Sequence, residues 1–169
     1  MKKVFLSLLI IASLTACSSA PATTPNKEGE TTTVSTTMAT PKEKADMKSE
    51  EVLKAMKSKG VKIGEVVTYT ESTDPNNLLG RPGGYVSKSN FELEGDEKIS
   101  GEDPSNTLEV YPKEEEAISR KKYIEEIGKA SPMFLQYIYQ SGKYVLRLEK
   151  KNTPTVAKEI EKIFLEIVK

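Results

Sequence analysis

The stretch SPMFLQYIYQSGKYVLRLEK, Ser131 to Lys150, limits the possible folds more than any other part of the chain. Two runs with alternating apolar residues flank Ser141-Gly142. That pattern predicts a β-hairpin with Ser141-Gly142 as a two-residue turn. Pairing outward from it sets Tyr139 opposite Tyr144, Tyr137 opposite Leu146 and Leu135 opposite Leu148. Side chains alternate between the two faces of a strand, so these six share one face. Phe134, Ile138 and Val145 fall on the other, with Gln136 and Arg147. An isolated hairpin is marginal in water, so the apolar face needs further strands or a helix against it. The next segment is a strong helix signal. Thr153 is placed to cap it and Pro154 to occupy its first position. Val156, Ile160, Ile163, Phe164 and Ile167 then recur at helical spacing.

The upstream chain supplies the remaining elements. Asp46 to Lys59 reads as a helix with Val52, Leu53 and Met56 on its apolar side and Gly60 as its cap. Val61, Ile63, Val67 and Tyr69 predict a strand with an irregularity at Gly64. A second strand is expected from about Gly84 to Leu93, and a third from Thr107 to Tyr111, stopped by Pro112. PKEEEAISRKKYIEEIGKA reads as a helix with acids at its start, which suits the macrodipole. Ala117, Ile124 and Ile127 lie on one side of it, and Gly128 is placed to end it. The order α-β-β-β-α-β-β-α predicts an α+β domain, an antiparallel sheet of about five strands with helices packed mainly on one face.

The N-terminal part has a different character. Lys2 and Lys3 precede an apolar run, Val4 to Leu14. That run is well short of the roughly 20 residues that cross a bilayer, so it reads as an export signal. It closes on Leu14-Thr15-Ala16-Cys17, which resembles the bacterial lipobox. The resemblance implies thioether lipidation of Cys17 with diacylglycerol, and cleavage that removes residues 1–16. Cys17 is the only cysteine, so no intrachain disulfide can form. Two acyl chains give the stable anchoring that one chain does not. Residues 17–45, rich in Thr, Ser, Pro and Ala, have little to bury and read as a disordered tether with a reach of about 30 Å. Residues 46–169 are then one globular domain. The expected location is the extracytoplasmic face of a bacterial membrane, or the outer membrane if the host has two.

The sequence removes several chemistries. Its 25 basic and 25 acidic residues balance, so no basic field draws nucleic acid. Histidine is absent, which excludes histidine-based triads and the usual zinc ligand sets. No phosphate-binding loop or dinucleotide fingerprint is present. No cofactor and no metal are expected. Glu92, Glu94, Asp96, Glu102 and Asp103 gather near a strand end. They offer oxygen ligands of the kind calcium takes, but the spacing is not that of an EF-hand. An acidic surface loop is the plainer reading.

The remaining candidate is NNLLGRPGGYVSKSNF, Asn76 to Phe91. Asp74-Pro75 begins a turn, and Gly80, Gly83 and Gly84 permit backbone conformations closed to other residues. Arg81 stands between Gly80 and Pro82, on a constrained backbone. One reading is a ligand-binding clamp for a carboxylate or other anion, with Arg81 bidentate and Tyr85, Ser87 and Lys88 beside it. The other is architectural, with Leu78 and Leu79 pinning the loop to the core and Arg81 serving an internal acid or a carbonyl.

This stretch and the hairpin with its Thr-Pro helix start resemble small secreted proteins and lipoproteins of Gram-positive bacteria and their phages. The shared pattern is Leu-Gly-Arg-Pro, then Tyr-x-Ser-Lys, then a late Tyr-Ile-Tyr hairpin. The resemblance covers most of Thr73 to Lys169 and implies a common fold, with Leu79, Gly80, Arg81, Pro82, Tyr85, Ser87 and Lys88 as the signature. It brings no activity with it. The expected function is a non-enzymatic binding domain, held to the membrane through Cys17, for a peptide, an envelope component or an envelope protein. A structural or protective surface protein is the second class, and a carboxylate-based hydrolase the third.

Overall fold

The structure is a computed structural model that describes residues 46–97 and 100–169. The leader, Cys17 and the tether lie outside the described residues, which all belong to one compact unit. The elements are α1 (Ser49–Ser58), β1 (Ile63–Thr68), β2 (Ser87–Leu93), β3 (Asn106–Val110), α2 (Glu114–Ala130), a 3-10 turn (Pro132–Phe134), β4 (Gln136–Ser141), β5 (Tyr144–Glu149) and α3 (Pro154–Val168). The strands form a single antiparallel sheet in the order β1-β2-β3-β5-β4. The α+β class, the five strands and the element order are those the sequence indicated.

Two layers of side chains cover the sheet. On the first face, Phe91, Leu93, Leu108, Val110, Tyr144, Leu146 and Leu148 meet Val52, Leu53 and Met56 of α1 and Ala157, Ile160, Phe164 and Ile167 of α3. Thr153 caps α3 by accepting from the Val156 amide at 3.3 Å, and Pro154 opens it. The second face carries α2 over β4 and β5. There Ala117, Val145, Tyr111, Tyr85, Leu79 and Tyr69 form a smaller core. Two of the three helices therefore share a face, and the loop between β1 and β2 completes the cover of the other.

Local details depart from the sequence reading at the hairpin turn, at Gly128 and at the start of β2, which is Ser87 rather than Gly84. The hairpin turn is Gly142-Lys143, since Ser141 pairs with Tyr144, Tyr139 with Leu146 and Tyr137 with Leu148. Gly142, at φ 51°, takes the first turn position, where a positive φ is needed. The two-residue shift keeps the residues of β4 and β5 on their expected faces, but Leu135, expected to share the face of Tyr137 and Tyr139, precedes β4 and packs toward Gly128 of α2. Gly128 lies within α2 rather than at its end. A Cβ there would come 3.3 Å from Leu135 Cδ2, so the glycine lets the returning chain pack close. The expected irregularity in β1 is a register shift between Ile63 and Val66.

Candidate functional site

The loop between β1 and β2 is organised around one carboxylate. Asp74 is buried, and its Oδ2 accepts the Leu78 amide at 2.8 Å and the Leu79 amide at 3.1 Å. The Tyr85 hydroxyl lies 2.8 Å from Oδ1 and 2.7 Å from Oδ2. Lys88 Nζ donates to Oδ1 at 3.0 Å, with both side chains almost fully enclosed. Burial alone would raise the Asp74 carboxyl. Donation from Tyr85, the Leu78 amide and Lys88 outweighs burial and holds the group far below the usual carboxylate range. Lys88 also lies 4.4 Å from the Tyr69 ring centre and 5.5 Å from that of Tyr85, so aromatic faces share its charge.

The glycines let the backbone close over this hub. Gly80 donates to the Tyr85 carbonyl at 2.9 Å and Gly84 to that of Arg81 at 2.9 Å. A Cβ on Gly84 would come 1.9 Å from the Leu78 carbonyl oxygen, a distance no side chain tolerates. Gly80 and Gly83, at φ 74° and 77°, hold the crest between them. Arg81 lies on that crest, exposed, with Nη2 donating to Asn77 Oδ1 at 2.7 Å.

A second polar cluster adjoins the first. Glu109, in the middle of β3, is fully buried. Arg120 of α2 grips it with two bonds, Nε to Oε2 at 3.1 Å and Nη2 to Oε1 at 3.0 Å. Arg147 of β5 donates from Nη1 to Oε1 at 3.1 Å and from Nε to Gln136 Oε1 at 2.9 Å. Tyr111 donates to Oε2 at 3.1 Å. Burial would lower the Arg120 guanidinium, but Glu109 overrides it and the net shift is upward. Tyr85 and Tyr111 join the clusters edge to face, with ring centres 6.0 Å apart. Burial first, and then a carboxylate neighbour, push three hydroxyls well above the ordinary phenol value. The neighbours are Asp103 for Tyr69, Asp74 for Tyr85 and Glu109 for Tyr111.

The structure separates the four residues expected to act together. Arg81 faces solvent, whereas Tyr85 and Lys88 turn inward to Asp74. Ser87 lies on the opposite face of the sheet, where its hydroxyl accepts the Ser49 amide at 3.0 Å. The cause is the two-residue strand period, which sends Ser87 and Lys88 to opposite faces. Among the described residues Arg81 pairs with no acid, and Leu79 is buried beneath the loop. Three of the gathered acids are engaged individually. Asp96 Oδ2 accepts the Leu93 amide at 2.7 Å, Asp103 accepts the Tyr69 hydroxyl at 2.6 Å, and Glu92 Oε2 accepts the Glu65 amide at 3.3 Å. Among the described residues no group of acids is placed to hold a metal ion.

Asp74 and Glu109, the two buried acidic residues among those described, thus spend their lone pairs on internal donors. Such a carboxylate positions backbone and neighbours and has little capacity left to take or give a proton. Sequence reasoning took Asp74 only as the start of a turn and passed over the Glu109 cluster. The available signal was Glu109 itself, a charge between Leu108 and Val110 in a strand too apolar to lie at an edge. Comparison with protein families, with curated proteins and with solved structures finds no match to this chain.

Proposed function

We propose that the chain is a non-enzymatic binding domain on the extracytoplasmic side of a bacterial membrane, anchored through a lipid on Cys17. The tether would give it reach, and Arg81 would take an anionic group, a carboxylate or phosphate, of an envelope component, peptide or envelope protein. The observation that carries this reading is the support beneath Arg81. A buried ion pair, a tyrosine and three glycines fix one conformation of an exposed loop, with a guanidinium at its crest. A pre-organised guanidinium loses little freedom on binding and suits planar anions. Ordered long loops of this kind are more often used for recognition than for connection alone.

A second reading rests on exposed apolar groups between α2 and β4. Met133, Phe134 and Leu135 follow one another there, 83%, 53% and 42% exposed. They would suit a structural or protective surface protein that works through contact with other envelope proteins. The deciding experiment captures partners from the native envelope with wild type, Arg81→Ala and Phe134→Ser. A partner held by wild type and lost only by Arg81→Ala is expected. One held by Arg81→Ala and lost by Phe134→Ser favours the second reading and removes the first.

A further inference from the structure

The sheet has two edges, and they differ in kind. At β1 the register breaks between Ile63 and Val66, at a glycine followed by an exposed glutamate. Bulges and charges of this sort keep an edge from pairing with another chain. β4 has no such protection. Its sequence, Gln136-Tyr137-Ile138-Tyr139-Gln140-Ser141, contains no charge, proline or glycine, and it pairs with β5 at six successive positions without a break. Tyr137, Ile138 and Tyr139 are each half-buried, with α3 and α2 on opposite faces of the strand.

The direction of the free backbone groups follows from the next strand pair. The Tyr111 amide donates to the Lys143 carbonyl at 2.8 Å, so the odd-numbered residues of β5 direct their peptide groups toward β3. Tyr144, Leu146 and Leu148 therefore serve β4, bonding their partners Ser141, Tyr139 and Tyr137. Gln136, Ile138 and Gln140 are left with N–H and C=O directed away from the sheet. These three are also the centre and ends of a palindrome, Gln-Tyr-Ile-Tyr-Gln.

We propose that β4 is a self-association edge, and that its occupant is β4 of a second copy of this chain. A two-fold axis through Ile138, normal to the sheet, pairs Ile138 with Ile138, Gln136 with Gln140 and Tyr137 with Tyr139. Every outward peptide group then finds its partner, because the palindrome is centred on an outward-pointing residue. The faces of the two sheets stay in register, and the pair becomes one ten-stranded sheet. Isologous contacts of this type close on themselves and do not grow into fibres. Leu135, extended just before β4, falls beside the second copy's Ser141, which gives one of the exposed apolar groups something to cover. The strand pair alone is small beside the roughly 1,000 Å² of a stable interface, so association depends on concentration. The inference does not depend on whether Arg81 binds a ligand.

The register permits a specific test by sedimentation equilibrium of residues 18–169, which keep the tether. Wild type is expected to dimerise reversibly. Gln136→Glu with Gln140→Glu sets like charges opposite each other twice, and weakens association about tenfold or more. Gln136→Glu with Gln140→Lys sets opposite charges there and restores it. Glutamate still accepts from Arg147, which protects the fold. In wild type and in the oppositely charged variant, but not in the doubly acidic one, the amides at positions 136, 138 and 140 should exchange more slowly as concentration rises. A wild type that stays monomeric at millimolar concentration overturns the proposal. So does a doubly acidic variant that dimerises as tightly as wild type. If residues 46–169 dimerise and residues 18–169 do not, the tether takes the edge and the second copy is not its occupant.

Discussion

Asp74 is held ionised inside the protein by donation from Tyr85, the Leu78 amide and Lys88. Asp74→Asn would strand the Lys88 ammonium without a counter-charge, a loss of about 3–5 kcal/mol by urea unfolding. Lys88→Met, which removes the other charge, should show whether the ion pair or the amide contacts matter more. The linkage sign is definite. The folded carboxyl titrates below its unfolded value of about 3.9, so its contribution is present above that value and drains away as pH falls below it. Stability should decline below about pH 4, and the Asp74→Asn variant should lose part of that decline. Gly84 makes the complementary point without any charge. Gly84→Ala drives a methyl into the Leu78 carbonyl, and a cost of about 3 kcal/mol is expected from thermal unfolding. Arg81→Ala, on the exposed crest, should change stability by less than about 0.5 kcal/mol. A large loss there would make the arginine a structural residue.

At the scale of elements, β3 is where two kinds of information meet. It is the central strand, buried on both faces, so Glu109 is tolerated only because α2 and β5 each bring an arginine to it. Tyr69, Tyr85 and Tyr111 lie around the two buried acids and stay neutral to high pH while the unfolded chain ionises near 10. Their contribution is therefore complete below about pH 10 and lost above it, at about 1.4 kcal/mol per pH unit for each. Urea unfolding at rising pH should show that slope, reduced by one such step in Tyr85→Phe. Absorbance at 295 nm should show these phenols ionising only as the protein unfolds. The elements themselves were legible because their periodicity is local: α3 from its Thr-Pro start and apolar stripe, β4 and β5 from alternation around a glycine. The hairpin register was not, because Ser141-Gly142 and Gly142-Lys143 are both acceptable turns until φ at Gly142 is known. Nor was the Asp74 hub, whose donors lie four, five, eleven and fourteen residues away along the chain. Side-chain convergence at that range leaves no period in a sequence. Alternation already implied that Ser87 and Lys88 face opposite ways, and that much of the site could have been read.

For the whole molecule, the asymmetry between the two faces organises what the chain can do. The first face is an apolar core closed by α1 and α3, and it holds more of the buried apolar side chains than the second. The second buries its charges in pairs, which are costly to desolvate and serve better to fix geometry than to add stability. Such a division suits a domain whose core is made by one layer and whose surface is shaped by the other. No described helix is long and apolar enough to cross a membrane. In the proposed reading membrane attachment falls to Cys17, where two acyl chains, each methylene worth about 0.8 kcal/mol, would anchor the chain. Expressed in its native envelope, the full chain should partition into the detergent phase and take up labelled palmitate. Cys17→Ser should abolish the label and leave the thermal transition unchanged, since residues 46–169 hold both cores. If Cys17→Ser still takes up labelled palmitate, the lipid sits elsewhere and the lipid-anchor reading fails. If the label is lost but the transition also shifts, the N-terminal segment contributes to the fold and is more than a tether.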